Sequence, residues 1–260
     1  MVFFGVSGPV AGVGDSNVSF LVELARKTVL VDCSGNPAGV LAAAGCDLCD
    51  LDFLVLTHAH TDHLYGLPSL VHAAWQSGRR KPLRIIANAA TREQAERLLG
   101  VFGLPGKSGM FSCTWVTREE GAIQVSHAPA GERASMRWFP VRHGVPCIGL
   151  AFREPGQVVV YSGDTAPSPR VQEEARGCAM LIHDCSGAAA DEKELSAKGH
   201  TSAAAAAVLA RGASAGSLAL VHLPPGGREA LLQEAAAGFD GPVAIPPPGR
   251  WLHPGRPLEP

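Results

Sequence analysis

Between Leu56 and Gly66 the chain reads Leu-Thr-His-Ala-His-Thr-Asp-His-Leu-Tyr-Gly, which places three of its ten histidines and one aspartate within the six residues from His58 to His63. Neutral imidazole nitrogens and carboxylate oxygens suit zinc, with manganese or iron as alternatives. His58 and His60 can converge on one position from a tight loop while Asp62 and His63 turn toward a neighbouring one, a geometry for two divalent metal ions. No cysteine lies within the cluster to close a structural site, so an open hydrolytic site is favoured. A metal pair about 3.5–4 Å apart generates hydroxide near neutral pH, holds a substrate oxygen and stabilises a leaving group. Such a pair needs a bridging carboxylate. Asp164, in Tyr161-Ser-Gly-Asp-Thr165, follows an apolar strand through a Ser-Gly turn and fits that place.

The elements that must hold these residues are legible as an alternation of strands and helices. Strands are expected at Val2–Val6, Ser19–Leu24, Thr28–Asp32, Phe53–Leu56 and Leu83–Ala87, with helices near Pro37–Ala44, Ser69–Ser77 and Thr91–Leu99. The second half repeats the habit: strands at Met136–Val141, Ile148–Phe152, Val158–Tyr161, Met180–Asp184 and Ser217–Val221, and helices near Arg170–Arg176, Ser202–Leu209 and Arg228–Ala237. Two strand-rich halves predict an α/β fold of two sheets stacked between outer helices. Five of the strands run into a candidate ligand: His58, His143, Asp164, the pair His183-Asp184, and His222. Sites gather at strand ends because loops there can reach one point from a rigid scaffold.

The remaining features set bounds. At 260 residues and 46% hydrophobic, the chain can bury a large core, and no linker divides it, so one domain over 1–260 is expected, with an extended Pro-rich tail at 242–260. No run approaches the roughly 18–20 apolar residues of a membrane span, and no basic-then-apolar leader opens the chain, so the cytoplasm is the expected location. Seven scattered cysteines read as thiols, and Cys46-Asp-Leu-Cys49, lacking a second pair, is read as structural. A net charge of −2 gives no field for a polyanion, and Arg79-Arg80-Lys81 reads as a solvated turn. His72, His127 and His253 stand alone and read as packed or surface residues. The run Gly103-Leu-Pro-Gly-Lys-Ser-Gly109 lacks phosphate-loop spacing, and the loops Gly103–Met110 and Thr117–Gly121 are expected to wall the pocket.

Taken in order, Thr57-His-Ala-His-Thr-Asp-His63, Arg142-His-Gly-Val-Pro-Cys-Ile-Gly149, Ser162-Gly-Asp-Thr165 and Leu218-Ala-Leu-Val-His222 resemble the motifs of the metallo-β-lactamase superfamily, in its ribonuclease Z-like and phosphodiesterase branch. The resemblance runs from Phe4 to about Leu223 and implies a four-layer αββα sandwich. It also implies two metal ions, one on His58, His60 and His143, the other on Asp62, His63 and His222, with Asp164 bridging. His183-Asp-Cys-Ser186 and Lys198-Gly-His-Thr-Ser202 are similar to two further motifs whose Glu and His assist proton transfer. Asp184 stands where the family has Glu, one methylene shorter, and is expected to orient His200, which otherwise sits where an N-cap region begins.

The expected activity is hydrolysis of small or cyclic phosphodiesters by a metal-bridging hydroxide, Asp62, Asp184 and His200 being the candidate catalytic residues. A ribonuclease, a sulfatase or a lactonase is an alternative on the same site, and a zinc-stabilised binding protein is the non-enzymatic one. Diiron redox relatives carry Glu where His60 stands, which speaks against that route; a mononuclear iron dioxygenase is separated by metal content. Transfer-RNA-processing relatives carry a glycine- and lysine-rich arm before the bridging aspartate. Between Phe152 and Tyr161 this chain has only Arg-Glu-Pro-Gly-Gln-Val-Val-Val, which speaks against long RNA as a partner. Family members often form homodimers, although the apolar positions of Val71–Trp75 equally fit a core.

Overall fold

Successive side chains on a strand face opposite ways, and in this chain both faces are apolar. In β2 (Ser19–Leu24) and β3 (Lys27–Val31), Phe20, Val22, Val29 and Val31 enter one core while Leu21 and Leu30 enter another. β4 (Phe53–Val55) repeats this, with Phe53 and Val55 on one side and Leu54 on the other. A strand buried on both faces must lie inside a layered fold, between a second sheet and a set of helices. The computed structural model, which describes residues 1–125 and 133–254, has that arrangement.

One sheet has the order β1 (Val2–Gly5), β2, β3, β4, β5 (Leu83–Ala87), β6 (Cys113–Thr117); its first three strands are antiparallel and the rest parallel. The other runs β7 (Gly121–Gln124), β8 (Ser135–Val141), β9 (Cys147–Glu154), β10 (Gln157–Tyr161), β11 (Met180–Asp184), β12 (Leu218–Val221), β13 (Val243–Ala244), antiparallel as far as β10 and parallel beyond. Phe20 of the first sheet meets Tyr161 of the second edge-on, ring centroids 5.1 Å apart. The first sheet's outer face is covered by α1 (Pro37–Ala43), α3 (Leu67–Gln76) and α4 (Ala89–Val101) through Leu41, Leu70, Val71 and Leu99. The second is covered by α5 (Pro169–Glu174), α7 (Ala203–Gly212) and α8 (Arg228–Gly238). In α7 the buried residues Ala203, Ala206, Ala207 and Ala210 are strong helix formers with no bulk, so the helix packs close to the sheet. Val71 and Ala74 are likewise core residues of α3.

Several expectations need correction. β6 and β7 are absent from the sequence reading, and Thr117–Gly121 is the short connection between them rather than a free loop. The residues after His60 form a one-turn helix, α2 (Thr61–Leu64), and a further helix, α6 (Glu192–Ala197), precedes His200. The Pro-rich segment, as far as it is described, is tied to the body: it supplies β13, Trp251 bridges to Val2, and the backbone N–H of Leu252 donates to the Met1 carbonyl at 2.7 Å. Positions 255–260, and His127, lie outside the described residues.

In the basic cluster Arg80 and Lys81 are exposed, as expected of a solvated turn, but Arg79 is a correction. Arg79 is 1% exposed, its guanidinium donating to the carbonyls of Leu48 (2.8 Å), Lys81 (3.0 Å), Pro82 (3.0 Å) and Cys49 (3.3 Å) while lying over the Phe111 ring. It satisfies the backbone acceptors of two loops at once, a task no apolar residue can do. Arg79→Ala leaves those carbonyls without a donor and is expected to cost about 3 kcal/mol of stability. The check is a lowered urea midpoint with unchanged metal content.

Candidate metal centre

The parallel strands of both sheets end at one edge of the sandwich, and the candidate ligands leave from there. His58 follows β4, His143 stands between β8 and β9, Asp164 follows β10, and His222 follows β12. The sheets are tied together at this edge: the Ile148 N–H donates to the Thr57 carbonyl at 3.1 Å, and the Asn88 side chain to the Pro146 carbonyl at 2.8 Å. At this edge Asp32 (φ 56°) and His222 (φ 60°) adopt left-handed backbone conformations without being glycine. Such strain persists only where the surroundings impose it.

His58, His60, His143 and Asp164 present ligand atoms within 4.8 Å of one another, and so do Asp62, His63 and His222. Asp164 joins the two groups. Its Oδ2 lies 3.6 Å from His58 Nε2, 3.4 Å from His63 Nε2 and 3.0 Å from His222 Nε2. Asp62 Oδ2 is 3.6 Å from the Nε2 atoms of both His63 and His222. His60 Nδ1 faces His143 Nε2 at 3.1 Å.

The outward ring nitrogens of His58, His63, His143 and His222 are anchored, which fixes the tautomers. His63 Nδ1 donates to Asp32 Oδ2 at 2.8 Å. Thr57 gives its hydroxyl proton to Asp32, 2.9 Å away, and so accepts from His58 Nδ1 at 3.1 Å. His143 Nδ1 donates to the Gly199 carbonyl at 2.9 Å; Gly199 (φ 84°) passes so close that a Cβ there would stand 2.7 Å from the His143 Cα. His222 Nδ1 donates to Ser186 Oγ at 2.9 Å, and Ser186 donates to Asp184 Oδ1 at 2.7 Å. Asp184 Oδ2 accepts from His200 Nδ1 at 2.9 Å, so one buried carboxylate holds His200 directly and His222 through a serine. The shorter side chain therefore reaches. His200 stacks on His222 with centroids 5.0 Å apart.

Whether the site fits metal ions can be judged from its loose ends. His58 Nε2, His63 Nε2, Asp62 Oδ2 and both Asp164 oxygens are buried without a hydrogen-bond partner. Buried polar atoms are ordinarily paired, whereas these converge on one another 3.0–3.6 Å apart without forming hydrogen bonds. Such a donor set, all nitrogen and carboxylate oxygen, fits divalent cations. Burial holds His58, His60 and His143 below the usual imidazole range, neutral and ready to ligate. Burial also opposes charge on His63 and His222, but Asp164 and Asp32 outweigh it at the first and raise it well above that range, while Asp164 and Asp62 lift the second to about 9. Burial would raise the Asp164 carboxyl; the charged His222 and His63 hold it far below the carboxylate range.

Four anchors escaped the sequence reading: Asp32, Thr57, Ser186 and the Gly199 carbonyl. Only Asp32 carried a signal, since it follows β3 as His58 follows β4. His183 is buried on β11 with Nδ1 on the Asp184 carbonyl, outside the cluster. His72 and His253 are exposed and also outside it. Cys46 and Cys49 are free thiols, and among the described residues no cysteine joins a ligand group. The walls beside the cluster come from Gly8–Val10 and Leu223–Pro225, whereas Leu104 and Lys107 line a separate cleft with Tyr65.

Residues 27–223 match the family model described as the beta-lactamase superfamily domain. The chain belongs to the metallo-β-lactamase superfamily. Among its relatives, ribonuclease BN of Enterobacter sp. (strain 638) is 26% identical over 299 residues, covering 92% of this chain and 95% of that one. Ribonuclease Z of Methanothermobacter thermautotrophicus is 27% identical over 263 residues, covering 86% of each. The fold is shared with the metallo-β-lactamase fold protein YhfI of Bacillus subtilis (TM-score 0.78, 22% identity, covering 94% of this chain and 95% of that one). It is also shared with zinc-bound PqqB of Methylobacterium extorquens (TM-score 0.65, 15% identity, covering 94% and 97%). The chain is a metal-dependent hydrolase of this superfamily. Relatives named ribonucleases give no support to the expectation that long RNA is excluded as a partner. No described helix is long and apolar enough to cross a membrane.

The raised His63 and His222 carry protons at pH 7 in the metal-free protein, and a ligand nitrogen must lose its proton. Zinc uptake at pH 7 should therefore release protons, and apparent affinity should rise as pH climbs from 7 toward 9. Calorimetry in two buffers of different ionisation enthalpy checks this; zero proton release at pH 7 contradicts it.

Proposed function

We propose that the protein is a binuclear metallohydrolase that cleaves phosphodiesters, small or cyclic ones by preference. The observation that carries this reading is the Asp164 carboxylate, buried, unbonded and within 3.0–3.6 Å of imidazoles from both ligand groups. His58, His60 and His143 would hold one ion and Asp62, His63 and His222 the other, zinc being the metal best matched to the donors, with manganese or iron as alternatives. Bound divalent ions would supply a nucleophile from water near neutral pH and offset charge on the phosphoryl oxygens.

The chain's own contribution is positioning and proton transfer. Asp184 holds His200 with Nδ1 as donor, so Nε2 is the atom free to meet a substrate. Protonated there, His200 would pass a proton to the departing alkoxide, and the Asp184 carboxylate would stabilise the imidazolium that precedes transfer. His200 is partly exposed and lines the opening beside His222, where a leaving group must sit. Burial of His58, His63 and Asp164 keeps water from competing for their ligand atoms.

Preference for small substrates draws on the connection between β9 and β10. Gln157 pairs directly with Glu154, so the strands are joined by a tight turn with no inserted arm. The alignment with ribonuclease BN spans more positions than this chain has residues, so that relative carries segments absent here. The second reading, an RNA endonuclease, is favoured by the names of the curated relatives. Bis-p-nitrophenyl phosphate and a precursor transfer RNA, offered to protein of measured metal content, separate the two.

Elemental analysis should give about two metal ions per chain and metal-dependent turnover of the diester. Asp164→Ala should lose metals and activity together. His200→Ala should retain the metals and slow turnover by roughly 10²- to 10⁴-fold. Full activity and two metals in Asp164→Ala would refute the bridging role, and a single iron without diester turnover would favour a dioxygenase.

A further inference from the structure

Beside the metal centre lies a cleft of about 230 Å³ whose floor is His200, His222 and Ser186. Its walls are Pro9 and Val10 on one side and Leu223, Pro224 and Pro225 on the other. No lysine or arginine lines it. Pro9–Gly14 is exposed throughout and holds no charged side chain, and Val10, 60% exposed, presents its side chain at the cleft wall. The loop presses on the centre itself: a Cβ on Gly8 would stand 3.0 Å from the His222 ring.

The loop is also firmly pinned at its base. The Gly8 N–H donates to the Leu223 carbonyl at 2.9 Å, and the Asn17 side chain to the Gly8 carbonyl at 2.6 Å. Asp15 accepts from the Ser16 N–H at 2.8 Å, from Ser7 Oγ at 2.6 Å and from the Arg228 guanidinium, which also donates to Ser7 Oγ at 2.8 Å. Arg228 opens α8, five residues after Leu223, so this ion pair clamps one wall of the cleft to the other. Its charge is spent on Asp15 rather than offered to a substrate.

From this arrangement we infer that the cleft is a leaving-group subsite for an uncharged apolar substituent, aryl or alkyl, with Val10 as a specificity-determining residue and the Asp15–Arg228 pair as its positioning clamp. The inference rests on the phosphodiesterase reading and narrows it: a nucleic acid continuing through this side would find no cation for its phosphates, whereas an aromatic alcohol would find five apolar side chains next to the candidate proton donor.

The test is calorimetric binding of phenylphosphonate and methylphosphonate to the zinc-loaded protein, in buffer alkaline enough that both are dianions and differ only in carrying a ring or a methyl group. Phenylphosphonate should bind about tenfold tighter or more in the unaltered protein, from apolar area buried. In Val10→Asp the difference should fall to within about threefold, because the ring would meet a charge, while methylphosphonate affinity changes little. Arg228→Ala, with Asp15 left unpaired, should also narrow the difference, at unchanged zinc content. Equal binding of the two phosphonates, or a preference indifferent to Val10→Asp, overturns the subsite and leaves the phosphodiesterase reading standing. Failure of both anions to bind zinc-loaded protein overturns the phosphoryl reading and the subsite with it.

Discussion

A carboxylate taken fully out of water is among the most costly groups a fold can carry unless something of opposite charge meets it. Asp164 is in that position: both its oxygens are buried, neither has a hydrogen bond, and its nearest neighbours are imidazole nitrogens 3.0–3.6 Å away. Without metal ions, only protons on His63 and His222 balance it. With ions between them, the same atoms become a ligand set. Much of the molecule can be understood as the scaffold that makes this burial tolerable, because the ligands arrive from both sheets and neither sheet alone could assemble them.

Precision comes from what stands behind the ligands. Asp32 orients His63 directly and His58 through Thr57, while Asp184 orients His200 directly and His222 through Ser186. The two carboxylates follow the same plan, one in each sheet. Hydrogen bonds of this kind fix ring tautomer and direction and make each ligand more basic. The strained backbone at Asp32 and His222 is consistent with that demand, since both residues turn sharply at strand ends to reach their partners.

How much of this could be read from the sequence depends on whether the signal was local. The HxHxDH run, the ends of β4, β10 and β12, and most of the helices were legible because periodicity and punctuation are local properties. Asp184 was legible as a candidate, but its reach was not, since that depends on the distance between β11 and the segment carrying Gly199 and His200. Ser186 and Thr57 look like any buried hydroxyl residue until the fold brings a ring nitrogen to them. Arg79 was misread because charge suggests solvent, whereas four carbonyls from separate segments converge on it. β6 and β7 lie at sheet edges and are only half buried, so their alternation is weak. Pro9–Gly14 carries no periodic signal, and its place against His222 is set by β12 far along the chain.

The central claim is that Asp164 stands between two metal ions. It is tested most directly by crystallising the zinc-loaded protein and locating anomalous scatterers at the zinc edge. The account predicts two peaks about 3.5–4 Å apart, one on each side of the Asp164 carboxylate. A single peak, or two that leave Asp164 uncoordinated, would contradict it.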